Sequence, residues 1–157
     1  MIARIVSGGQ SGVDRAALDV ALALGLPCGG WCPRGRLAED GVIPPRYPLR
    51  ETPSAEYAQR TEWNVRDSDG TLVLKRGRAG GGTAFTIATA RRLRRPLLVL
   101  DLARRPLPQA LGRWAAEHHL RTLNVAGPRE SQRPGAYEAA RRFLLEALGA
   151  GPAGGPA

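Results

Sequence analysis

Short apolar runs alternate with segments of helical period five times along this chain, and no other feature constrains its fold as strongly. Residues 2–6 form a strand-length apolar run, after which Val13, Ala16, Ala17, Val20, Ala21 and Leu24 recur at the spacing of an amphipathic helix. Gly25 and Pro27 stop that helix. A second strand is expected over residues 28–32. The stretch after it, residues 33–51, is rich in Pro, Gly and Arg and reads as irregular; connections of that length in a compact domain are usually functional or disordered. Thr52 followed by Pro53 reads as an N-cap and first helical residue, with Tyr57, Ala58, Thr61 and Val65 continuing one face. Residues 70–75 give a third strand and residues 83–93 a well-buried helix ended by Pro96. Residues 97–100 are continuously apolar, the pattern of a strand covered on both faces. Leu111, Trp114, Ala115 and His118 mark a helix, Leu123 and Val125 a fifth strand, and Tyr137, Ala140, Leu144, Ala147 and Leu148 a closing helix.

Such an alternation implies an α/β fold of three layers, a five-stranded, mainly parallel sheet between helices, with the expected strand order 2-1-3-4-5. Ligands in these sheets bind beyond the carboxyl ends of the strands, where the order reverses. The turns after strands one, two, three and five are therefore the informative ones. With 157 residues there is room for one domain, expected over residues 1–149, and the Gly/Pro/Ala composition of residues 150–157 reads as a flexible tail.

The first turn, Ser7-Gly8-Gly9-Gln10-Ser11-Gly12-Val13-Asp14, joins a strand to a helix. Its glycines let backbone approach a ligand, and free amides at a helix start favour an anion. The spacing is neither the G-x-G-x-x-G fingerprint nor a P-loop. Gly80-Gly81-Gly82-Thr83 repeats the same physics before another helix. In the expected strand order these two turns flank one crevice. The long stretch adds Arg34, Gly35, Glu39, Asp40 and Gly41; an arginine fork suits phosphate, carboxylate or an oxyanion such as molybdate, and the acids could position a ring or a metal-bound water. Asn124, Gly127, Pro128, Arg129 and Ser131 follow the fifth strand, which makes Arg129 a further candidate for anion contact.

Other groups read as structural. Cys28 and Cys32 are too few for a disulfide framework and, on one face of a regular strand, too far apart for one metal; buried thiols are the default, and no protein-ligated metal is expected. His118 and His119 read as a helix-terminal pair, and Asp67 and Asp69 sit at the amino end of the third strand, away from the expected site. The formal charge of +9 rests on 23 basic residues spread along the chain, of which Lys75 is the one lysine, and the densest run, residues 91–95, falls at a helix end. No segment approaches a membrane span and no signal pattern opens the chain, so a cytosolic protein is expected.

The runs SGGQSGVDRAALDVALALGLP, GGWCPRGRLAEDGVIPPRYPL, GGGTAFTIATARR and NVAGPRES, taken in this order, resemble the molybdenum carrier family over nearly all of the chain. The resemblance implies a Rossmann-like fold of the group that includes lysine-decarboxylase-like phosphoribohydrolases and DNA-processing protein A. It also implies molybdenum cofactor (molybdopterin) or a nucleotide as ligand, apoproteins of molybdenum enzymes as partners, and a homo-oligomer. Carried over residue by residue, it supports Gly8, Gly9, Gln10, Ser11, Gly12 and Asp14, then Gly81, Gly82 and Thr83, and Arg34, Gly35, Glu39, Asp40 and Gly41 as binding residues. The phosphoribohydrolases carry a catalytic glutamate in a Gly-Thr-x-x-Glu motif, where this chain reads Gly82-Thr83-Ala84-Phe85-Thr86. A threonine is no general acid or base near neutral pH, so the expectation is a carrier that binds a phosphorylated small molecule, with no catalytic residue assigned. A nucleotide-processing enzyme using Asp14, Glu39 or Asp40 is the alternative. Single-stranded DNA binding, prompted by the charge and by the likeness of SGGQSGVD to the loop of DNA-processing protein A, lacks an aromatic platform among the basic residues.

Overall fold

In the computed structural model, which describes residues 1–149, the alternation becomes a five-stranded sheet whose ladders are all parallel. The expected tail, residues 150–157, lies outside the described residues. The chain runs β1 (Arg4–Val6), α1 (Val13–Leu24), β2 (Cys28–Gly29), β3 (Trp31–Cys32), β4 (Leu37–Ala38), β5 (Gly41–Val42), β6 (Arg50–Glu51), α2 (Tyr57–Arg66) and β7 (Gly70–Lys75). It continues with α3 (Gly81–Arg92), β8 (Leu97–Asp101), a 3-10 turn (Leu102–Arg104), α4 (Gln109–Glu117), β9 (Thr122–Ala126) and α5 (Ala136–Gly149). The sheet is fully α/β as expected. Helices α1, α4 and α5 share the main core with the sheet, and α2 and α3 pack on each other. Among the described residues no helix is long and apolar enough to cross a membrane.

The strand order differs from the expected one. It is β2-β1-β9-β7-β8, which in terms of the five sheet strands is 2-1-5-3-4. The last strand does not close an edge; it is inserted between the first and the third, pairing Ile5 with Leu123 on one side and Thr71 with Asn124 on the other. Its sequence explains its place. Leu123, Asn124 and Val125 are buried, and the Asn124 amide donates to the Thr71 hydroxyl across the ladder at 3.2 Å, so the one polar side chain at its centre is answered by a neighbouring strand. The edge falls to β8, whose residues are all half-buried rather than covered on both faces as its composition implied. Leu98 and Leu100 still pack on the main core, and alternation sends Leu97 and Val99 to the opposite face. An apolar run of strand length is compatible with either position.

The expected second strand is split. At Gly30 the backbone turns through φ 128, where a Cβ would fall on the carbonyl oxygen of Ser7, and the chain leaves the sheet. Trp31–Cys32 pairs instead with Arg50–Glu51 in a separate parallel ribbon. Cys28 and Cys32 are therefore not on one regular strand: Cys32 lies in a second cluster with Leu18, Ala38, Ile43, Tyr47 and Leu49, and Cys28 packs against both that cluster and the main core. Burial pushes both thiols up from their ordinary value. The stretch 33–51 is ordered around that cluster. It contains the antiparallel hairpin of β4 and β5, and the Arg36 guanidinium donates to the carbonyls of Ile43, Pro44, Tyr47 and Leu49.

Two helix expectations also shift. Thr52 does not cap α2, because its hydroxyl is drawn into the ribbon, donating to the carbonyls of Ser54 at 2.8 Å and Cys32 at 3.3 Å; α2 starts at Tyr57. Helix α3 is not well buried. Its inward stripe is Thr83, Thr86, Thr89 and Ala90, while Phe85 is exposed. The histidines do close α4, His118 at the C-cap and His119 at φ 55. Asp67 caps α2 and accepts the Trp31 indole N–H, and Asp69 accepts the amides of Arg121 and Thr122, both at the amino end of β7.

Candidate functional site

The strand ends bring the two glycine turns to one crevice of about 260 Å³, and the insertion of β9 puts a third loop, the one after β9, between them. Glycine is required where this loop passes. A Cβ at Gly12 would strike the Pro128 carbonyl, and one at Gly127 would strike the Leu74 carbonyl. The turns therefore meet through residues 127–132 rather than directly.

The two turns do different work. In the first, four of the amides expected to be free are engaged within the protein. Gly9 N–H donates to Ser7 Oγ at 3.2 Å, Gln10 N–H to Asp14 Oδ2 at 3.4 Å, Ser11 N–H to Gln10 Oε1 at 3.0 Å and Val13 N–H to the Pro128 carbonyl at 3.3 Å. Asp14 is itself the anion at this helix start. Burial pushes its carboxyl up from the ordinary carboxylate range, and the Arg60 guanidinium, 3.0 Å away, pulls against that shift. At the second turn no side chain caps α3. Its N-cap is a glycine, and the Thr83 amide turns back to the Gly80 carbonyl at 3.1 Å, so the amides of Gly81 and Gly82 are the ones left for a ligand or water.

Helix α2 supplies what the sequence did not reveal. Tyr57, Arg60, Thr61 and Asn64 project into the crevice at helical spacing. Gly8 makes this possible, since a Cβ there would occupy the position of the Arg60 guanidinium. Tyr57 lies at the mouth with the guanidinium carbons of Arg60 and Arg129 at 5.2 and 5.4 Å from its ring centroid. Asn64 is held by the Trp31 backbone through both of its amide atoms. Among the described residues two buried donors have no partner: Gln10 Nε2 and Arg60 Nε make no hydrogen bond, on residues that line the crevice. Leaving such groups unpaired costs about 1–3 kcal/mol each; both nitrogens are out of solvent contact, so an acceptor in the crevice would meet them only after a side-chain shift.

Of the residues read from sequence, Gly8, Gln10, Asp14, Gly81, Gly82, Thr83, Asn124 and Arg129 line the crevice. Gly9 points to Ile43 and Leu49 in the second cluster. Arg34, Gly35, Glu39, Asp40 and Gly41 do not line it, nor do Ser11, Gly12 and Ser131. Glu39 is a latch behind the first turn: it accepts from the hydroxyls of Ser11 and Ser131 and the Ser131 amide, and lies 4.0 Å from Arg129. Desolvation alone would raise its carboxyl, but those bonds and that charge hold it below the usual range. Asp40 is paired with Arg15 at 3.1 Å, and Gly35 donates its amide to Glu51. Glu39, Asp40, Ser11, Gly12 and Ser131 line a different, wide hollow on the outer side of α1. The missed α2 residues carry one sequence signal, the Tyr57, Arg60, Thr61 and Asn64 spacing, which also fits an ordinary solvated helix face.

With this geometry in view, the chain matches the model of the circularly permutated YpsA SLOG family over residues 5–148. Among solved structures it is similar to a protein of Syntrophus aciditrophicus SB named as a putative molybdenum carrier protein, with 46% identity, 94% of each chain covered and a TM-score of 0.89. No curated protein matches.

Proposed function

The chain belongs to the circularly permutated YpsA SLOG family, and from that premise we propose that it is a carrier that holds a phosphate-bearing pterin or nucleotide in the crevice between its glycine turns. The observation that carries this reading is the start of α3, which no side chain caps, on a crevice that Arg60 and Arg129 also line. Donors of both kinds call for the same occupant, an anion rich in acceptor oxygens. In this reading the phosphate sits at the amides of Gly81 and Gly82 and the hydroxyl of Thr83. Arg60 and Arg129 neutralise it, Gln10 and Asn124 meet polar edges of the ligand, and Tyr57 covers a ring at the mouth.

The name of the Syntrophus aciditrophicus protein directs the reading to molybdenum cofactor as the cargo. The donor set fits the phosphate and acceptor atoms of that molecule. No cysteine or histidine lines the crevice, and among the described residues no group of three or more His, Cys, Asp and Glu is placed to hold a metal ion. The protein would then grip such a cofactor by its phosphate and ring, leaving the metal to the cofactor's own ligands and to the recipient apoprotein. Thr86, at the position where the resemblance implies the catalytic glutamate of phosphoribohydrolases, donates to the Gly82 carbonyl at 2.9 Å and offers no proton-transfer group. The test is to purify the protein gently and identify what comes with it by mass spectrometry and elemental analysis. The carrier reading expects a phosphorylated pterin with molybdenum at a fixed ratio to protein. A nucleotide without molybdenum would overturn the cargo while keeping the phosphate site.

One observation favours a second reading as a nucleotide-processing enzyme: Asp14, alone among the acids considered, lines the crevice with a raised carboxyl. Base release from nucleoside monophosphates that disappears in Asp14→Asn would support it, and turnover unchanged by that substitution would remove it.

A further inference from the structure

A second space adjoins the second glycine turn. A hollow of about 190 Å³ opens on the other side of the first turn of α3 and shares Gly81, Thr83 and Gln132 with the crevice. Four cations line it, Lys75, Arg76, Arg78 and Arg133, and no carboxylate does. None of the four is in an ion pair among the described residues. Two are fixed in place by neutral groups. Arg133 donates to the carbonyls of Arg76 and Arg78 at 3.0 Å each and of Gln132 at 2.8 Å, and Arg76 donates to the Pro134 carbonyl at 3.0 Å. A carbonyl orients a guanidinium without cancelling its charge. Asp101, opposite Lys75 on the neighbouring strand, accepts the amides of Gly77 and Ala103 and does not line the hollow, although its carboxylate feels the Lys75 charge.

Four like charges around one small space repel each other, and an anion between them relieves that repulsion. Adjacency points the same way: the crevice and the hollow have Gly81, Thr83 and Gln132 as common walls.

Resting on the reading of the crevice as a phosphate site, we propose that the Lys75–Arg78–Arg133 hollow is a second anion subsite, and that the joined spaces select a ligand with two or more linked phosphoryl groups. One phosphoryl group sits at the amides of Gly81 and Gly82, and the next passes over the first turn of α3 to lie among the four cations. A monophosphate fills only the first position. The ligand class is thus a diphosphate ester, such as a nucleoside diphosphate or a pterin joined to a nucleotide through a diphosphate.

Calorimetric titration with AMP and ADP at one fixed ionic strength tests this, with inorganic phosphate and diphosphate as a pair that reports the subsite whatever ring the crevice accepts. Lys75 and Arg78 are the positions to change, because neither side chain makes a hydrogen bond among the described residues, so Lys75→Gln/Arg78→Gln removes charge without breaking one. The wild type should bind ADP at least tenfold more tightly than AMP, and diphosphate more tightly than phosphate. The double variant should lose that preference while binding AMP within twofold of wild type. Equal affinity for AMP and ADP in the wild type, or a double variant that weakens both alike, overturns the subsite and leaves the phosphate reading of the crevice standing. No binding of any of the four probes overturns both.

Discussion

Asp14 takes the place at the start of α1 that an external anion would otherwise fill, and its carboxylate is shared between the Gln10 amide and the Arg60 guanidinium. Both partners of the ion pair are nearly out of water, with side chains 7% and 11% exposed, so neither tolerates loss of the other. Arg60→Met should cost about 3–5 kcal/mol by stranding a buried carboxylate, and Arg60→Met/Asp14→Asn should recover part of that. Urea denaturation checks it; a double variant no more stable than the single one would show that the pair is not coupled. Gly30 is the second residue on which the site depends. Its φ of 128 and the Ser7 carbonyl in the path of a Cβ predict that Gly30→Ala lowers stability by about 2 kcal/mol or more, read from the same midpoints.

At the level of elements, the stretch 33–51 is docked by chemistry that its composition hides. Arg36 binds four carbonyls of its own loop, and Glu39 ties that loop to the first turn and to the loop after β9. Glu39→Ala should speed amide hydrogen exchange across residues 33–51, a local loss of about 1–2 kcal/mol, and leave the β7 and β9 amides protected; uniform loss of protection would instead make the loop part of the global unfolding unit. The same elements show what a sequence can and cannot reveal. The i, i+3, i+4 apolar pattern of α1 and the strand-helix alternation were legible because each side chain there answers to one buried face. The order of the strands was not, since β9 is specified by a cross-strand contact, Asn124 to Thr71, between residues 53 positions apart. The break at Gly30 was hidden because Gly29 and Gly30 look alike in sequence and only the latter has a positive φ. Glycine turns advertised the crevice, but Arg60 did not, because its meaning depends on the missing side chain of Gly8. Glu39 and Asp40 were drawn to the site by residue type and are engaged elsewhere by Ser11, Ser131 and Arg15.

For the molecule as a whole, charge and acid response follow from how its carboxylates are held. Amide donors, that of Thr122 first, keep Asp69 below the ordinary range; Arg66 does so for Asp67 and the Gly77 amide for Asp101. Groups depressed in the folded state contribute stability that is present above the unfolded value and lost as pH falls through the folded one. Asp14 has the opposite sign: its raised carboxyl makes ionisation a burden on the fold, so its contribution improves as pH falls. Stability should therefore decline below about pH 4, and the deficit of Asp69→Asn at neutral pH should vanish in acid; thermal melts across pH test this, and a deficit independent of pH would contradict it. The central claim is that the crevice between the glycine turns receives a phosphate through an uncapped α3 and the donors of Gln10 and Arg60. The most direct test is an amide and guanidinium chemical-shift titration of the isotope-labelled protein with ADP. The account predicts that the largest changes fall on the amides of Gly81, Gly82 and Thr83, the Gln10 side-chain amide and Arg60 Nε; changes centred instead on Asp19, Tyr47 and Tyr137 in the outer hollow, or none at saturating ADP, would contradict it.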